Sequence, residues 1–100
     1  MTKKKIMEKI NITTIFPSQL SHYINNEKEL QIDGNQLKHL IKHLETKYPD
    51  FKGRVIDEND EIRPYLNFFI GETNIKVLDG INSKLIDNDT VRLLLSRAGG

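Results

Sequence analysis

The chain has 100 residues, which is enough for one small domain with a modest core. Its 37% hydrophobic and 7% aromatic content, without tryptophan, suits a small α+β domain. Fifteen Lys and Arg against 14 Asp and Glu give a formal net charge of +1, which argues against nucleic acid as a partner. The absence of cysteine excludes a disulfide framework, a thiolate metal site and a cysteine nucleophile within this chain.

Residues 1–8 are predicted to be a solvated lead-in. They contain Lys3, Lys4 and Lys5 but no apolar h-region, so no signal peptide is expected. Three lysines followed by Glu8 are a weak pattern for a nucleic-acid-binding arm. No apolar run approaches the roughly 18 residues of a membrane-spanning helix, and we therefore expect a cytoplasmic protein without a membrane partner.

Two strands are predicted before the main helix. Residues 10–16 are β-branched and aromatic with partial alternation, which indicates a first strand that stops at Pro17. Residues 17–27 are predicted to be a turn or loop. The alternation over residues 30–32 predicts a second, short strand that forms a hairpin with the first.

The strongest periodic signal of the chain lies over residues 37–48. Apolar residues at i, i+3, i+4, i+7 and i+11 predict an amphipathic helix. Asp33 or Asn35 is expected to cap its start, because Asp33 and Gln36 have the spacing of a capping box. Pro49 is expected to end it. The apolar positions are Leu37, Leu40, Ile41, Leu44 and Tyr48.

Three further strands are predicted in the second half of the chain. A polar, irregular segment over residues 50–64, with a short helical turn considered at residues 54–56, leads into a strand over residues 65–70. A turn then returns the chain as a shorter strand over residues 74–77. An acidic turn at residues 87–89 precedes the last strand, which covers residues 90–95.

This order of elements predicts a β-grasp, ubiquitin-like arrangement. It is an α+β fold with a mixed sheet of four to five strands packed on one main helix, formed by a single domain over residues 9–95. One helix covers one face of the sheet, so the other face is left partly open. Side-chain alternation places Phe69, Leu94 and Arg92 on that open face, and we predict that they bind a partner. The alternatives are that the segment 50–64 covers them or that they are scattered surface residues.

The last five residues, 96–100, are predicted to be a flexible tail. Gly99 and Gly100 lack a Cβ and can take backbone conformations closed to other residues. The sequence ends on Gly100, and we expect the free carboxylate of this residue to be unhindered. A chance Gly-Gly pair or an expression scar is the alternative to a functional carboxylate.

Three features together indicate a family. They are the β-grasp order, the hairpin over residues 66–75 followed by the acidic turn at residues 87–89, and the terminal Ala98-Gly99-Gly100. Over about residues 9–100 the chain resembles the small ubiquitin-like sulfur carriers of the MoaD/ThiS type. The segment 49–64 makes it longer than the thiamin-branch members, and more similar to the molybdopterin-synthase small subunit, the cysteine-forming carriers or the archaeal small modifiers.

The resemblance implies a carrier rather than an enzyme, or the small subunit of a synthase complex. An E1-like enzyme would use ATP and Mg²⁺ to adenylate the carboxylate of Gly100, so that this chain itself binds no cofactor. A sulfurtransferase or cysteine desulfurase would supply the sulfur of a thiocarboxylate, which an acceptor synthase would consume. Gly99 would provide access to a narrow active site, and Ser96, Arg97 and Ala98 the reach. The family also leaves open conjugation of Gly100 to lysines of other proteins.

Two other candidate sites are weaker. His39 and His43 have the i, i+4 spacing of metal ligands, but Leu40 stands where the H-E-x-x-H motif has its glutamate, so a solvated helix face is favoured. The carboxylates of residues 57–61 lie on a loop where nothing is expected to shift a pKa. Ser96 has no histidine-centred triad, and no glycine-rich phosphate loop is present, so a stand-alone enzyme is the least favoured class.

The alternative of another class is a non-catalytic β-grasp interaction module, including an RNA-binding one. It predicts a basic surface patch around Lys28, Lys38, Lys42 and Lys47. The near-neutral total charge argues against it.

Overall fold

A computed structural model of the protein describes residues 10–96, which form a five-stranded sheet, two α-helices and several short 3₁₀ turns. The predicted α+β fold with one main helix is confirmed. The helices are α1 (Ser18–Ser21) and α2 (Leu37–Lys47). The strands are β1 (Asn11–Ile15), β2 (Glu29–Asp33), β3 (Leu66–Ile70), β4 (Thr73–Asn74) and β5 (Thr90–Leu95).

The sheet has the strand order β2-β1-β5-β3-β4. β1 pairs antiparallel with β2 and parallel with β5, and β5 pairs antiparallel with β3. The last strand of the chain therefore lies in the middle of the sheet. Parallel neighbours need a crossover connection, and here α2 lies within the chain segment that joins β1 to β5.

The core lies between α2 and one face of the sheet. The four apolar residues of α2 that were predicted to face the sheet are at most 1% exposed, because their 3.6-residue spacing places them on one stripe. They meet every second residue of the central strands. The sheet side of this contact is formed by Ile12, Leu66, Phe68, Val91 and Leu93. Of the helices within residues 10–96, none combines the length and the apolarity that a bilayer crossing requires.

The prediction of a loop over residues 17–27 is wrong. Helix α1 and a 3₁₀ turn over His22–Ile24 occupy most of this segment. Phe16, Leu20 and Ile24 recur every fourth residue and are all buried, so each turn is held by one apolar side chain in the core. Burial in the tertiary structure, rather than local propensity, makes this short segment helical.

The predicted side-chain cap of α2 is also wrong. The residue before the helix is Gln36, which has extended backbone and makes no side-chain capping bond. The N–H of Leu37 instead donates to the carbonyl of Ser83 at 3.0 Å. A carbonyl 46 residues away in the chain thus satisfies a donor at the helix start that a cap would otherwise serve.

The segment between α2 and β3 belongs to the core. A 3₁₀ turn covers Pro49–Phe51, not residues 54–56 as considered from the sequence. The ring of Phe51 is 0% exposed and packs edge-to-face on Phe16, with ring centroids 5.7 Å apart. Val55 and Ile56 are buried as well. The segment therefore closes the core beside α1 rather than forming a free loop.

The return strand after β3 is shorter than predicted. β4 contains two residues, and Ile75–Val77 is a 3₁₀ turn. The side chain of Asn74 accepts a hydrogen bond from the N–H of Lys76 at 2.8 Å, which turns the chain out of the ladder. Ile75 can then enter the core, where it is 4% exposed.

Candidate partner-binding face and tail root

Ser96 is tied to β3 just beyond the end of β5. Its N–H donates to the carbonyl of Tyr65 at 2.7 Å, and the side-chain amide of Asn67 donates to its hydroxyl oxygen. These two bonds hold Ser96 beside β3. We call Ser96 the tail root, because the predicted tail begins with this residue. The other predicted tail residues, Arg97, Ala98, Gly99 and Gly100, lie outside the described residues.

The backbone that precedes Tyr65 in the chain is already hydrogen-bonded elsewhere. In an antiparallel pair, hydrogen-bonded residue pairs recur every second residue, so the pair after Ser96–Tyr65 would use Arg63. The N–H of Arg63 already donates to Val55 at 2.8 Å, and its carbonyl accepts from Leu66 at 3.0 Å. The intervening Pro64 has no N–H to offer. The chain before β3 therefore provides no ready backbone partner beyond Tyr65.

An apolar patch surrounds one cation on the sheet face away from α2. Phe69 on β3 lies directly opposite Arg92 on β5, and Ile15 on β1 lies beside Arg92 on the other side. Leu94 follows on β5 and is 43% exposed. Phe69, Arg92 and Ile15 are half-buried. We call Ile15, Phe69, Arg92 and Leu94 the open-face patch.

Arg92 lacks a carboxylate partner within residues 10–96. The salt bridges found there join Lys42 to Asp60 and His43 to Asp33. A guanidinium flanked by apolar side chains and without a counter-charge is suited to receive a carboxylate from another protein. This supports the prediction that Phe69, Leu94 and Arg92 bind a partner, which stays a prediction.

The β1–β2 half of the same sheet face is polar. The side-chain amide of Asn11 donates to Gln31 at 2.8 Å, and the amide of Gln31 donates to Thr13 at 3.0 Å. The face is thus divided into a polar half and the open-face patch. The segment 49–64 does not cover the patch, because its buried side chains enter the core on the α2 side.

The histidine pair on α2 is engaged in local hydrogen bonds. Nδ1 of His39 lies 2.7 Å from the side-chain oxygen of Asn35, and Nδ1 of His43 lies 2.7 Å from the carbonyl oxygen of Asp33. Residues 10–96 contain no group of three His, Asp or Glu side chains placed to hold a metal ion. Both histidine side chains are exposed, as expected for a solvated helix face, and the expectation of no metal site stays a prediction.

Asp57 differs from the expectation that nothing shifts a pKa on the acidic loop. Its carboxylate accepts hydrogen bonds from the N–H groups of Asn59 at 2.8 Å and Glu61 at 3.0 Å. The bond from Glu61, followed by that from Asn59, lowers the pKa of Asp57 below its usual 3.8. The turn is therefore held by an ionised carboxylate.

This geometry predicts a pH dependence of stability. Because the folded-state pKa of Asp57 is lowered, its contribution is complete above the unfolded-state pKa and is lost as the pH falls through the folded-state pKa. In Asp57→Asn the amide oxygen can still accept both bonds, but it does not titrate. We expect the difference in unfolding free energy between wild type and Asp57→Asn to shrink from pH 5 to pH 2, as measured by denaturant titration. A pH-independent difference would contradict the assignment.

The basic patch that an RNA-binding module requires is interrupted by acidic residues. Lys42 pairs with Asp60 at 3.3 Å. The groove beside α2, about 320 Å³ in volume, mixes both signs of charge and gives no continuous positive surface. Its charged lining residues are Lys42, Glu45, Lys52, Asp57, Glu58, Asp60 and Arg63.

Comparison with known proteins identifies the chain's relatives. No protein-family model matches the sequence. The sulfur carrier protein CysO of Mycobacterium tuberculosis is 24% identical over 93 residues, which span 91% of this chain and 100% of CysO. The chain is a homologue of the CysO sulfur carriers. The resemblance to the MoaD/ThiS-type ubiquitin-like sulfur carriers is thereby confirmed.

Two solved structures share the fold. A chain of the Amycolatopsis orientalis BexX/CysO complex superposes with a TM-score of 0.82 at 22% identity, covering 89% of this chain and 99% of that one. The small archaeal modifier protein 1 of Methanosarcina acetivorans superposes with a TM-score of 0.79 at 23% identity, covering 94% and 100%. Both superpositions cover nearly all of the described residues of this chain.

Three residues near the candidate site of this chain have roles that were not predicted from the sequence. Ile15 joins the open-face patch because the parallel register places it beside Arg92, and strand alternation alone does not give that register. Asn67 donates to Ser96, and this bond depends on the β3–β5 register, which the sequence does not show. Arg63 carries no sequence signal for its role at the end of the ladder.

Proposed function

We propose that the protein is a sulfur carrier whose reactive group is the C-terminal carboxylate of Gly100. The observation that carries the proposal is the match over 93 residues to the complete length of CysO, a protein named as a sulfur carrier. The geometry supports it, because Ser96 is exposed at the end of β5 and the chain before β3 provides no ready backbone partner beyond Tyr65.

The proposed chemistry begins with activation of a poor electrophile. A carboxylate oxygen of Gly100 attacks the α-phosphate of ATP on an E1-like partner that holds Mg²⁺, and pyrophosphate leaves. The terminal sulfur of a persulfide on a sulfurtransferase or cysteine desulfurase then attacks the acyl adenylate, and AMP leaves. A thiol cleaves the S–S bond of the resulting acyl disulfide, so that the thiocarboxylate is released and a disulfide forms between this thiol and the donor cysteine. The product is a thiocarboxylate, which is nucleophilic at sulfur without a cysteine in the carrier. The carrier supplies its tail and docking face, and the cofactors belong to its partner.

The proposal assigns partners by their tasks. An E1-like enzyme, a sulfur donor and an acceptor synthase would each meet the carrier in the cytoplasm. The CysO of Amycolatopsis orientalis has been solved in complex with BexX, which supports the expectation that a chain of this fold docks on a partner protein. Phe69, Arg92 and Leu94 of the open-face patch lie on β3 and β5, and Ser96 directly follows β5, so one partner can contact both the patch and Ser96.

Intact-mass spectrometry tests the proposal directly. The chain ending at Gly100 is incubated with an E1-like enzyme, ATP, Mg²⁺ and a sulfide donor, and a mass shift for exchange of one oxygen by sulfur is expected. Omission of ATP is the control and should leave the mass unchanged. Failure of the exchange with activating enzymes of every related pathway would overturn the carrier function.

A second candidate function is protein modification through the same carboxylate. It is favoured by the structural match to the small archaeal modifier protein 1. Peptide mass spectrometry after tryptic digestion would reveal a lysine carrying the terminal glycines through an amide bond. Such a conjugate in cells, without a detectable thiocarboxylate, would favour the modifier over the carrier.

The open-face patch predicts a loss of partner binding on truncation. Phe69→Ala and Leu94→Ala each remove a side chain from the centre of the patch, and anchor residues of an interface typically contribute more than about 1 kcal/mol. We expect each to weaken binding to the activating enzyme by about tenfold in calorimetry. Val77→Ala, at a site 74% exposed and outside the patch, is the control. Unchanged affinity in both patch variants would show that the enzyme docks elsewhere.

A further inference from the structure

We propose that the free edge of β2 binds an extended segment of a partner protein whose alternate side chains are basic. Within residues 10–96, β2 is an outer strand of the sheet, and one of its long sides has no neighbouring strand. An unpaired strand edge is a template for an added strand, in which main-chain bonds give affinity and alternate side chains give specificity. This surface is separate from the open-face patch and does not depend on the proposed function.

The register identifies which backbone groups of β2 face outward. The N–H of Phe16 donates to Lys28 at 2.9 Å, and the N–H of Gly34 donates to Ile10 at 3.3 Å. Because hydrogen-bonded pairs alternate along an antiparallel ladder, the even-numbered residues of β2 bond to β1. The N–H and C=O groups of the odd-numbered residues, Glu29, Gln31 and Asp33, therefore point to the free edge.

One end of this edge is already closed. The outward carbonyl of Asp33 accepts a hydrogen bond from Nδ1 of His43, at 2.7 Å. The remaining outward groups are those of Glu29 and Gln31 and the N–H of Asp33. An added strand of about five residues spans these groups from Glu29 to Asp33 without displacing His43, at the strand rise of about 3.3 Å per residue.

The side chains beside the edge set the chemistry of the occupant. Glu29 and Asp33 are exposed and project on one face, so alternate residues of an added strand would lie next to two carboxylates. On the other face a groove of about 290 Å³ runs between β2 and α2, with the buried Ile32 at its base. Residues of the added strand that alternate with the basic ones would project on this other face. One of them would enter the groove, where an aliphatic side chain fits beside Thr46 and the stem of Lys47.

A second copy of this chain is a poor occupant of the same edge. Antiparallel self-pairing centred on Gln31 would place Glu29 of one copy directly opposite Asp33 of the other. Like charges directly opposite each other destabilise a strand pair. The carboxylates of Glu29 and Asp33 therefore disfavour pairing of β2 with a second copy and favour pairing with a basic strand.

The test uses two synthetic hexapeptides, acetyl-(Arg-Val)₃-amide and its acidic counterpart acetyl-(Glu-Val)₃-amide, titrated into the ¹⁵N-labelled protein. We expect the basic peptide alone to shift the amide signals of Glu29, Gln31 and Asp33 and to slow their hydrogen exchange. Gln31→Pro removes an outward N–H without removing a bond to β1, and Gln31→Ala removes the same side chain but keeps the N–H. The proline variant should bind about tenfold more weakly than the alanine variant.

Three results would overturn the proposal. They are failure of the basic peptide to bind, shifts centred on the open-face patch, and equal affinities of the proline and alanine variants. If Gln31→Pro does not fold, Glu29→Lys combined with Asp33→Lys decides, since it should reverse the preference toward the acidic peptide. Concentration-dependent protection of the β2 amides without peptide would instead show pairing between copies.

Discussion

Deletion of Gly100 is expected to abolish thiocarboxylate formation completely. The deletion leaves a carboxylate, but moves it back by one residue, about 3.3 Å of extended chain. In-line attack on ATP requires reacting atoms within about 3–3.5 Å, so the shortened tail cannot place its carboxylate in the active site of the activating enzyme. Intact-mass spectrometry after the ATP-dependent reaction measures the result, with the unmodified mass as the expected outcome.

The same deletion should leave the fold unchanged. The buried core extends from Ile12 to Leu93, and the last described contact to β3 is made by Ser96. We expect the unfolding free energy to stay within about 0.5 kcal/mol of wild type, as for other changes away from packed sites. Addition of one alanine after Gly100 is the matched variant and should also be inactive. Full activity of either variant would show that the reaction does not require a carboxylate at the position of Gly100.

Phe51→Ala is expected to have the largest effect on stability. Phe51 is 0% exposed, and its ring packs edge-to-face on Phe16 under α1. Truncation of a buried phenylalanine costs about 3–5 kcal/mol, because apolar contacts are lost and a cavity remains. A small domain has only about 5–15 kcal/mol in total, so the loss should lower the melting temperature by more than about 12 °C. Thermal unfolding followed by circular dichroism measures the shift.

The control for this prediction is Ile86→Ala. Ile86 is 68% exposed in the turn before β5, so its truncation removes an apolar side chain without opening a cavity. We expect a change within about 0.5 kcal/mol. If Phe51→Ala were as mild as Ile86→Ala, the segment between α2 and β3 would be a peripheral loop rather than part of the core.

Several parts of the candidate site follow from the sequence because they depend on local periodicity. Strand alternation alone places Phe69, Leu94 and Arg92 on one face, since side-chain direction reverses at each residue. The stripe of α2 likewise fixes which sheet face is covered. Of the predicted carrier chemistry, the kinship with sulfur carriers is confirmed by comparison, and the role of Gly100 stays a prediction.

The tertiary structure decided what depends on contacts between distant parts of the chain. α1 forms because Leu20 and Ile24 are buried, although four residues are too few for an isolated helix. The N–H of Leu37 at the start of α2 donates to the carbonyl of Ser83. The backbone of Arg63 is bonded to Val55 and Leu66, so it is not a ready partner for the chain after Ser96.

The sequence by itself determined the order of the five strands and the main helix, the covered and open faces of the sheet and the presence of Gly99-Gly100. These are properties of short windows, in which spacing and residue type act directly on the backbone. Only the tertiary structure decided which residues surround Arg92, which residues hold Ser96, and that β2 is an outer strand of the described sheet. Each of these depends on strand register and on hydrogen bonds between residues far apart in sequence, which no local pattern encodes.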